Sequence, residues 1–410
     1  MNTSKEKKLI LLCTNIEPTD AVRKEISTLI TTNLDWHKIV SEAKNQGVAS
    51  LVYHNLSGLP DKQAIPPDIL FNLKKYYLDT IGRNVVVFDE LKIVLTLLQQ
   101  AGIKAVVLKG PALIATVYKD WGLRWIGDID LLVPENDLFK AQDYLISRGY
   151  VQDKQMTRQK YAHHHLIGIR SKKNSIRIEL HWTLNVNPLF KLDVNMIWNR
   201  VKKCTINDCS TLILSPEDTL LHVCLHHCYN NIHNLYYKSV YDITAVIQHY
   251  GNSINWALFI NNCIQYKTIT LTYIGLNLAK QLFSVNIPSH VLKSLQCKND
   301  KSQMMCFEML KELKGKSVSN LFLLNDLSKR MHYIRQKFFP SIEFLAFRYS
   351  VPIDSKFVYL LYFVRPFQLV KDHLPIAFKL LFTFIIHKIQ YRVGSNQPAP
   401  LSFLKNSNTE

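Results

Sequence analysis

No stretch of this 410-residue chain is apolar for long enough to span a membrane. The longest, Leu374 to Ile386, is broken by Lys379 and falls short of the roughly 20 residues a spanning helix needs. Met1 to Lys8 is polar and basic, and the apolar run Leu9 to Leu12 is too short for the core of an export signal. Cysteine is thin and irregularly spaced, at Cys13, Cys204, Cys209, Cys224, Cys228, Cys263, Cys297 and Cys306. That pattern excludes a disulfide framework and suits a reducing, cytoplasmic setting. Acids are in deficit, 32 Asp and Glu against 50 Lys and Arg, for a formal charge of +18. Such an excess points to anionic partners: nucleotides, nucleic acid, phosphorylated sugars or a membrane surface. There is no internal repeat and no low-complexity segment. What remains is the composition of an ordinary globular protein, 47% hydrophobic and 20% charged, at a length that suits two or three domains.

Against that background one segment stands out. In Trp125-Ile126-Gly127-Asp128-Ile129-Asp130-Leu131-Leu132-Val133, two acids flank one apolar residue inside a hydrophobic strand pattern. Side chains alternate along a strand, so both carboxylates share one face while Ile129 and Leu131 share the other. A shared carboxylate face suits Mg²⁺, or Mn²⁺, which takes carboxylate and phosphate oxygens together. A later strand, Ser175 to Trp182, alternates in the same way: Ile176, Ile178 and Leu180 form its apolar face, and Arg177, Glu179 and His181 the polar one. Glu179 thereby becomes the third candidate carboxylate, as metal ligand or general base.

Upstream, Ala105 to Leu108 reads as a short buried strand that breaks at Lys109-Gly110-Pro111. Gly110 lets the backbone turn close to a ligand, Pro111 starts a helix whose free N–H groups can receive phosphate oxygens, and Lys109 adds a point charge. Arg124 either pairs with a phosphate through its planar fork or serves structurally, pairing an acid or packing on Trp121 or Trp125.

The rest of the chain is organised around this segment. Residues 1–95 form a helical region and 96–190 the core, with a helix opened by Pro134-Glu135-Asn136-Asp137, lined by Leu138, Ala141 and Leu145 and closed by Gly149. The strand Tyr161 to Arg170 turns at Ser171-Lys172-Lys173-Asn174 into the Glu179 strand. Residues 191–330 form a helical domain, with Ser215 capping a helix that Pro216, Glu217 and Asp218 begin. Residues 331–410 are rich in aromatic and basic residues. That last segment has three readings: a final helical layer with a solvated basic face, an anionic-membrane contact, or a nucleic-acid surface.

Taken together, Leu108-Lys109-Gly110, Tyr118, Arg124-x-x-Gly127-Asp128-Ile129-Asp130-Leu131-Leu132-Val133 and Ile178-Glu179-Leu180-His181-Trp182 resemble the bacterial nucleotidyltransferases of the DNA polymerase β superfamily. The likeness is to the largely uncharacterised branch found in biosynthetic gene clusters, and it extends to Asp35-Trp36, Leu225-His226 to Asp242-Ile243, and Asn255-Trp256. The resemblance implies an α+β fold, a small mixed sheet flanked by N- and C-terminal helical regions. It implies Asp128, Asp130 and Glu179 as metal triad, a nucleoside triphosphate donor, and phosphate binding at Lys109, Gly110, Arg124 and Gly127. The acceptor would be a hydroxyl of a small molecule, sugar or protein. The competing expectation is a catalytically silent nucleotide-binding or scaffold protein at an anionic surface.

Histidine supplies one further candidate. His222 with His226, and Cys224 with Cys228, are spaced to meet on a helix face as zinc ligands would, with His227 and His233 nearby. No partner motif accompanies them, so semi-buried helix histidines are expected instead, with His226 facing the nucleotide cleft. In His163-His164-His165 alternation separates the middle residue from its neighbours, which argues against a three-histidine metal site.

Overall fold

A computed structural model describes residues 4–152, 165–166, 168–184, 190, 192–230, 236–296 and a discontinuous set within 331–371. Four short helices come first: α1 Lys5–Cys13, α2 Asp20–Ile30, α3 Trp36–Asn45 and α4 Ala49–Ser57. The side chains of Ser4, Thr19 and Asp35 cap α1 to α3 by accepting from Lys7, Val22 and Lys38 N–H groups. Helix α5, Pro67–Gln100, then runs for 34 residues with proline in its first turn.

Helix α5 changes partner along its length. Ile69 and Leu73 enter the core formed with α1 to α4, whereas Val87, Leu91, Val94 and Leu98 enter a second core beneath the sheet. The expected boundary at residue 95 therefore falls inside one continuous helix.

Among the described residues the sheet has seven strands: β1 Val106–Val107, β2 Asp128–Leu132, β3 Tyr150–Gln152, β4 Ile169–Ser171, β5 Arg177–His181, β6 Lys202–Ile206 and β7 Cys209–Ile213, in the order β3-β4-β5-β2-β1-β7-β6. It is mixed, with β2–β5 and β1–β7 parallel and the other neighbours antiparallel. The fold is thus the expected α+β arrangement of a mixed sheet flanked by helices. The β6–β7 hairpin is an addition within residues 191–330, where a helical domain is expected. Its strands are short and half-exposed, and only β7 reaches the interior of the sheet, beside β1.

Between β1 and β2 the chain makes α6 Lys109–Leu113, which passes directly into a π-helical turn, Ile114–Tyr118, closed by Lys119 in a left-handed conformation. Helix α7, Leu138–Ser147, buries Leu138, Ala141 and Leu145 as its spacing requires. It starts at Leu138 and not at Pro134, because Glu135–Asp137 form a 3₁₀ turn. Of the two strands joined at Ser171 to Asn174, only Ile169–Ser171 and the His165 bridge to His181 fall within the described part of the first. Residues 161–164, with His163 and His164, lie outside the described residues.

After the short helix α8, Val194–Trp198, five helices follow: α9 Pro216–Asn230, α10 Tyr237–Tyr250, α11 Trp256–Gln265, α12 Ile269–Phe283 and α13 Ser289–Leu295. Ser215 caps α9 as expected, its Oγ accepting from the Asp218 N–H at 3.2 Å. The α9 side chains divide among three neighbours. Cys224 and Cys228 face α12, where Cys228 Sγ donates to the Leu271 carbonyl and Gly275 leaves room for Cys224. His227 Nδ1 lies 2.6 Å from Ser239 Oγ on α10. His222 and His226 stand near Lys109 and Asp130, whose charges act on both. His233 lies outside the described residues, and no group of metal-ligating side chains forms on α9 among the described ones.

In the C-terminal segment, Leu345 and Ala346 of the helix Ile342–Tyr349 pack on Val358. The outward side of the described part mixes exposed basic residues, Arg348, Lys356 and Lys371, with exposed aromatic ones. Arg365 is buried beneath the Phe344 ring, while Phe357, Phe363 and Phe367 are 70, 75 and 79% exposed. Leu374 to Ile386 lies outside the described residues. No described helix is long and apolar enough to cross a membrane.

Burial holds the His227 pKa down at about 4, against an ordinary 6.5, with the Asp242 charge opposing it only in part. The unfolded chain therefore takes up a proton that the folded chain refuses. Stability contributed by neutral His227 is complete above about pH 6.5 and is lost as pH falls toward 4, by up to about 3 kcal/mol. Thermal melting followed from pH 8 downward should show this loss (6.5 to 4 being the window), and His227→Gln should flatten the slope. An unchanged slope in the variant would exclude His227 as a source.

Candidate metal centre

Strand register builds the site. In the parallel pair β2–β5, Asp128 lies opposite Arg177, Asp130 opposite Glu179, and Leu132 opposite His181. Alternation puts Ile129, Leu131, Ile178 and Leu180 into the core on one side. Asp128, Asp130, Glu179 and His181 are left on the other. Asp130, Glu179 and His181 are buried, and one ligand atom from each lies within 4.8 Å of the others. Asp128 shares their face at the more open end of β2. The close group therefore differs from the expected carboxylate triad by holding His181, while Asp128 stands just outside it.

Internal charges compensate these acids. Lys109 Nζ is 3.0 Å from Asp130 Oδ2, and His181 Nε2 is 2.8 Å from Asp130 Oδ1. Arg177 Nη1 is 2.9 Å from Glu179 Oε1, and His165 Nε2 is 3.4 Å from Glu179 Oε2. Lys109 and His181 hold the Asp130 carboxyl well below the usual range in spite of its burial. Burial and the charges of Asp130 and Asp128 lift Glu179 to about 7. Burial, then Asp130, also raises Asp128. Burial keeps His181 below its ordinary value, although Asp130 pulls the other way. Two of the three acids are thus held above their ordinary pKa, which is the electrostatic condition a bound cation relieves.

The backbone at Lys109 explains how its side chain gets there. Lys109, two residues beyond β1, has φ +45°, so the chain makes its left-handed turn at the lysine and not at Gly110. Gly110 serves another purpose: a Cβ there would stand 3.0 Å from Arg124 Nη1 and 3.2 Å from Ile126 Cγ2. Gly127 borders open space, with nothing within 4 Å of where its Cβ would be. Its carbonyl accepts from Arg83 Nη2 at 2.8 Å.

Arg124 takes the structural alternative for one edge of its fork. Its Nε and Nη2 donate to the two Asp242 carboxylate oxygens of α10 at 2.7 and 2.8 Å, and the Tyr118 hydroxyl donates to Asp242 at 2.8 Å. All three residues are buried. A buried Asn84 on α5 fixes the same loop, donating to the Trp121 and Arg124 carbonyls and accepting from the Ile126 N–H.

Sequence reasoning missed Asn84, Arg83 and Lys238. Arg83 lies under Trp125, 5.9 Å from the ring centroid, and Lys238 Nζ donates to the Trp125 carbonyl at 3.3 Å. Burial depresses Lys238 to about 8, with Arg124 adding to the effect. Nothing in the local sequence marks Arg83 or Asn84, which sit mid-helix some forty residues before β2. His181 was legible: alternation along β5 already set it beside Glu179. His222, one of the zinc-spaced residues of α9, has a buried Nε2 with no hydrogen-bond partner among the described residues.

Carboxylates on adjacent parallel strands, with the Lys109 ammonium against one of them, form a group that could hold a metal ion. Residues 32–284 match the family model described as uncharacterised nucleotidyltransferase, and the chain belongs to that family. No curated protein matches it, and no solved structure does.

Removing one partner of a buried ion pair strands the other charge. Arg124→Ala or Asp242→Ala should each cost about 3–5 kcal/mol in urea unfolding, and the double variant clearly less than their sum. Gly110→Ala, which crowds the same guanidinium, is expected to lose about 1–3 kcal/mol. Strict additivity of the two alanine variants would show that the pair is not coupled.

Proposed function

We propose that this nucleotidyltransferase moves a nucleoside monophosphate from a nucleoside triphosphate to an acceptor hydroxyl, releasing pyrophosphate, in a reaction that requires Mg²⁺ or Mn²⁺. The acceptor oxygen bonds to the α-phosphorus as the bond from that phosphorus to the bridging oxygen breaks, and the hydroxyl proton passes to a carboxylate or to water. The observation that carries this reading is the buried Asp130–Glu179–His181 group with Asp128 on the same strand face.

The donor set fits a divalent cation, since the acids cluster beyond what their internal partners neutralise. Asp128, Asp130 and Glu179 would hold the ions, with His181 keeping the Asp130 carboxylate oriented through its 2.8 Å contact. Bound there, the ions would stabilise the attacking and leaving oxygens of an in-line displacement. Lys109 would carry positive charge to the departing pyrophosphate once its hold on Asp130 is replaced. Gly127, bare and exposed, lets a ligand approach the β2 backbone at the mouth. Arg83 over the Trp125 ring and Lys238 at the Trp125 carbonyl make that mouth basic. The acceptor, whether small molecule, sugar or protein, would enter between this mouth and α9. Membership of the polymerase β superfamily branch found in biosynthetic clusters belongs to the same reading.

The test supplies each α-phosphate-labelled nucleoside triphosphate with Mg²⁺ or Mn²⁺ and an extract of the source cells, and follows labelled acceptor and pyrophosphate. Transfer is expected with at least one nucleotide. Asp128→Ala/Asp130→Ala should lower it by at least about 100-fold, the upper range for losing outer-shell partners alone. Mn²⁺ should also raise the melting temperature of the parent chain but not of Asp130→Asn. Metal-dependent nucleotide binding with no transfer from any triphosphate would instead favour the catalytically silent alternative.

A further inference from the structure

We infer that the chain forms a twofold homodimer through the outer face of α5, with two copies of this helix packed antiparallel and crossing at Gly82. The apolar side chains of this face are exposed: Phe71 is 68% exposed, Leu78 52%, Val86 39% and Ile93 48%, and Asp89 on the same stripe accepts from Asn207 Nδ2 at 3.4 Å. Large apolar side chains repeated along about 33 Å of one helix, at its 1.5 Å rise per residue, are costly to leave in water.

The spacing identifies the occupant. Taking Gly82 as centre, Phe71 and Ile93 lie eleven residues to either side, Lys75 and Asp89 seven, and Leu78 and Val86 four. Intervals of four, seven and eleven return to the same helix face, so all of these residues share one stripe. When two such helices run antiparallel about a twofold axis at Gly82, each residue meets its mirror position on the other copy. Phe71 meets Ile93, Leu78 meets Val86, and Lys75 meets Asp89, the last an opposite-charge pair made twice. A surface complementary to itself under a twofold rotation is the signature of an isologous interface. An unrelated partner would not require the stripe to be symmetric about its own midpoint, and a lipid surface would not require Lys75 and Asp89 to be matched.

Gly82 supplies an independent observation. Glycine is unfavourable in a helix interior, and this one sits near the middle of a 34-residue helix, solvent-exposed, with nothing within 4 Å of where its Cβ would be. The glycine φ is not in the left-handed region, so no local turn accounts for it. At the crossing point of two helices, however, a missing side chain lets the backbones approach closely.

Sedimentation equilibrium of the full chain at micromolar concentrations tests the proposal. A dimer is expected, and Leu78→Arg should dissociate it. Lys75→Asp should weaken it by about tenfold or more through two like-charge contacts, and Lys75→Asp/Asp89→Lys should restore it. Gly82→Cys should form a disulfide-linked dimer under mild oxidation that the parent chain, with its own cysteines, does not form. All four positions are exposed, so an unchanged melting temperature controls for folding. A monomer at every concentration overturns the inference. So does a dimer indifferent to Leu78→Arg and to the charge exchange, which would place the contact elsewhere, the exposed apolar face at 357–370 included.

Discussion

The parallel pairing of β2 with β5 sets Asp130 opposite Glu179, and nearly everything else in the molecule can be read as what that register requires. A slip of one residue would send Ile129 and Ile178 outward and bury four charged or polar groups in the apolar core. The hydrophobic side of the two strands therefore enforces the chemistry of the other side. Because parallel neighbours need a crossover, the chain must travel from β2 through α7, β3 and β4 before returning as β5. That route brings His165 and Arg177 to Glu179.

The register orients the acids, but the loop before β2 has to be held for Asp128 to stand where it does. Three anchors do this from outside the sheet. Asn84 and Arg83 reach in from α5, and Asp242 from α10 takes the Arg124 fork and the Tyr118 hydroxyl. The π-helical turn at Ile114–Tyr118 supplies the extra rotation that carries Tyr118 toward α10. The N-terminal and C-terminal helices thus meet at the edge of the site, and the enzyme's helical flanks form part of its wall.

Local pattern made much of this legible. The Asp128-x-Asp130 alternation, the Glu179 strand, the Ser215 cap and the Leu138–Ala141–Leu145 face depend on neighbours close in sequence, and the structure keeps them. What escaped depends on distance along the chain. Asn84 and Arg83 look like ordinary polar positions of an amphipathic helix until α5 is laid beside the loop. Asp242 is a single acid in a buried run, Val240 to Ile247, and its partner lies 118 residues away. The β6–β7 hairpin, with half-exposed alternation, carries too little apolar signal to separate it from a polar linker. Residue 95 lies inside α5, which serves two cores with one uninterrupted pattern.

Lys109 turns the site into one that can wait. Its ammonium group lies on Asp130, held there by the left-handed turn at Lys109 itself. The protein thereby carries its own counterion, so the acids can be buried during synthesis and folding without an external ion at hand. Burial of the site thus needs no external ion, in contrast to small domains whose folding waits on a structural ion.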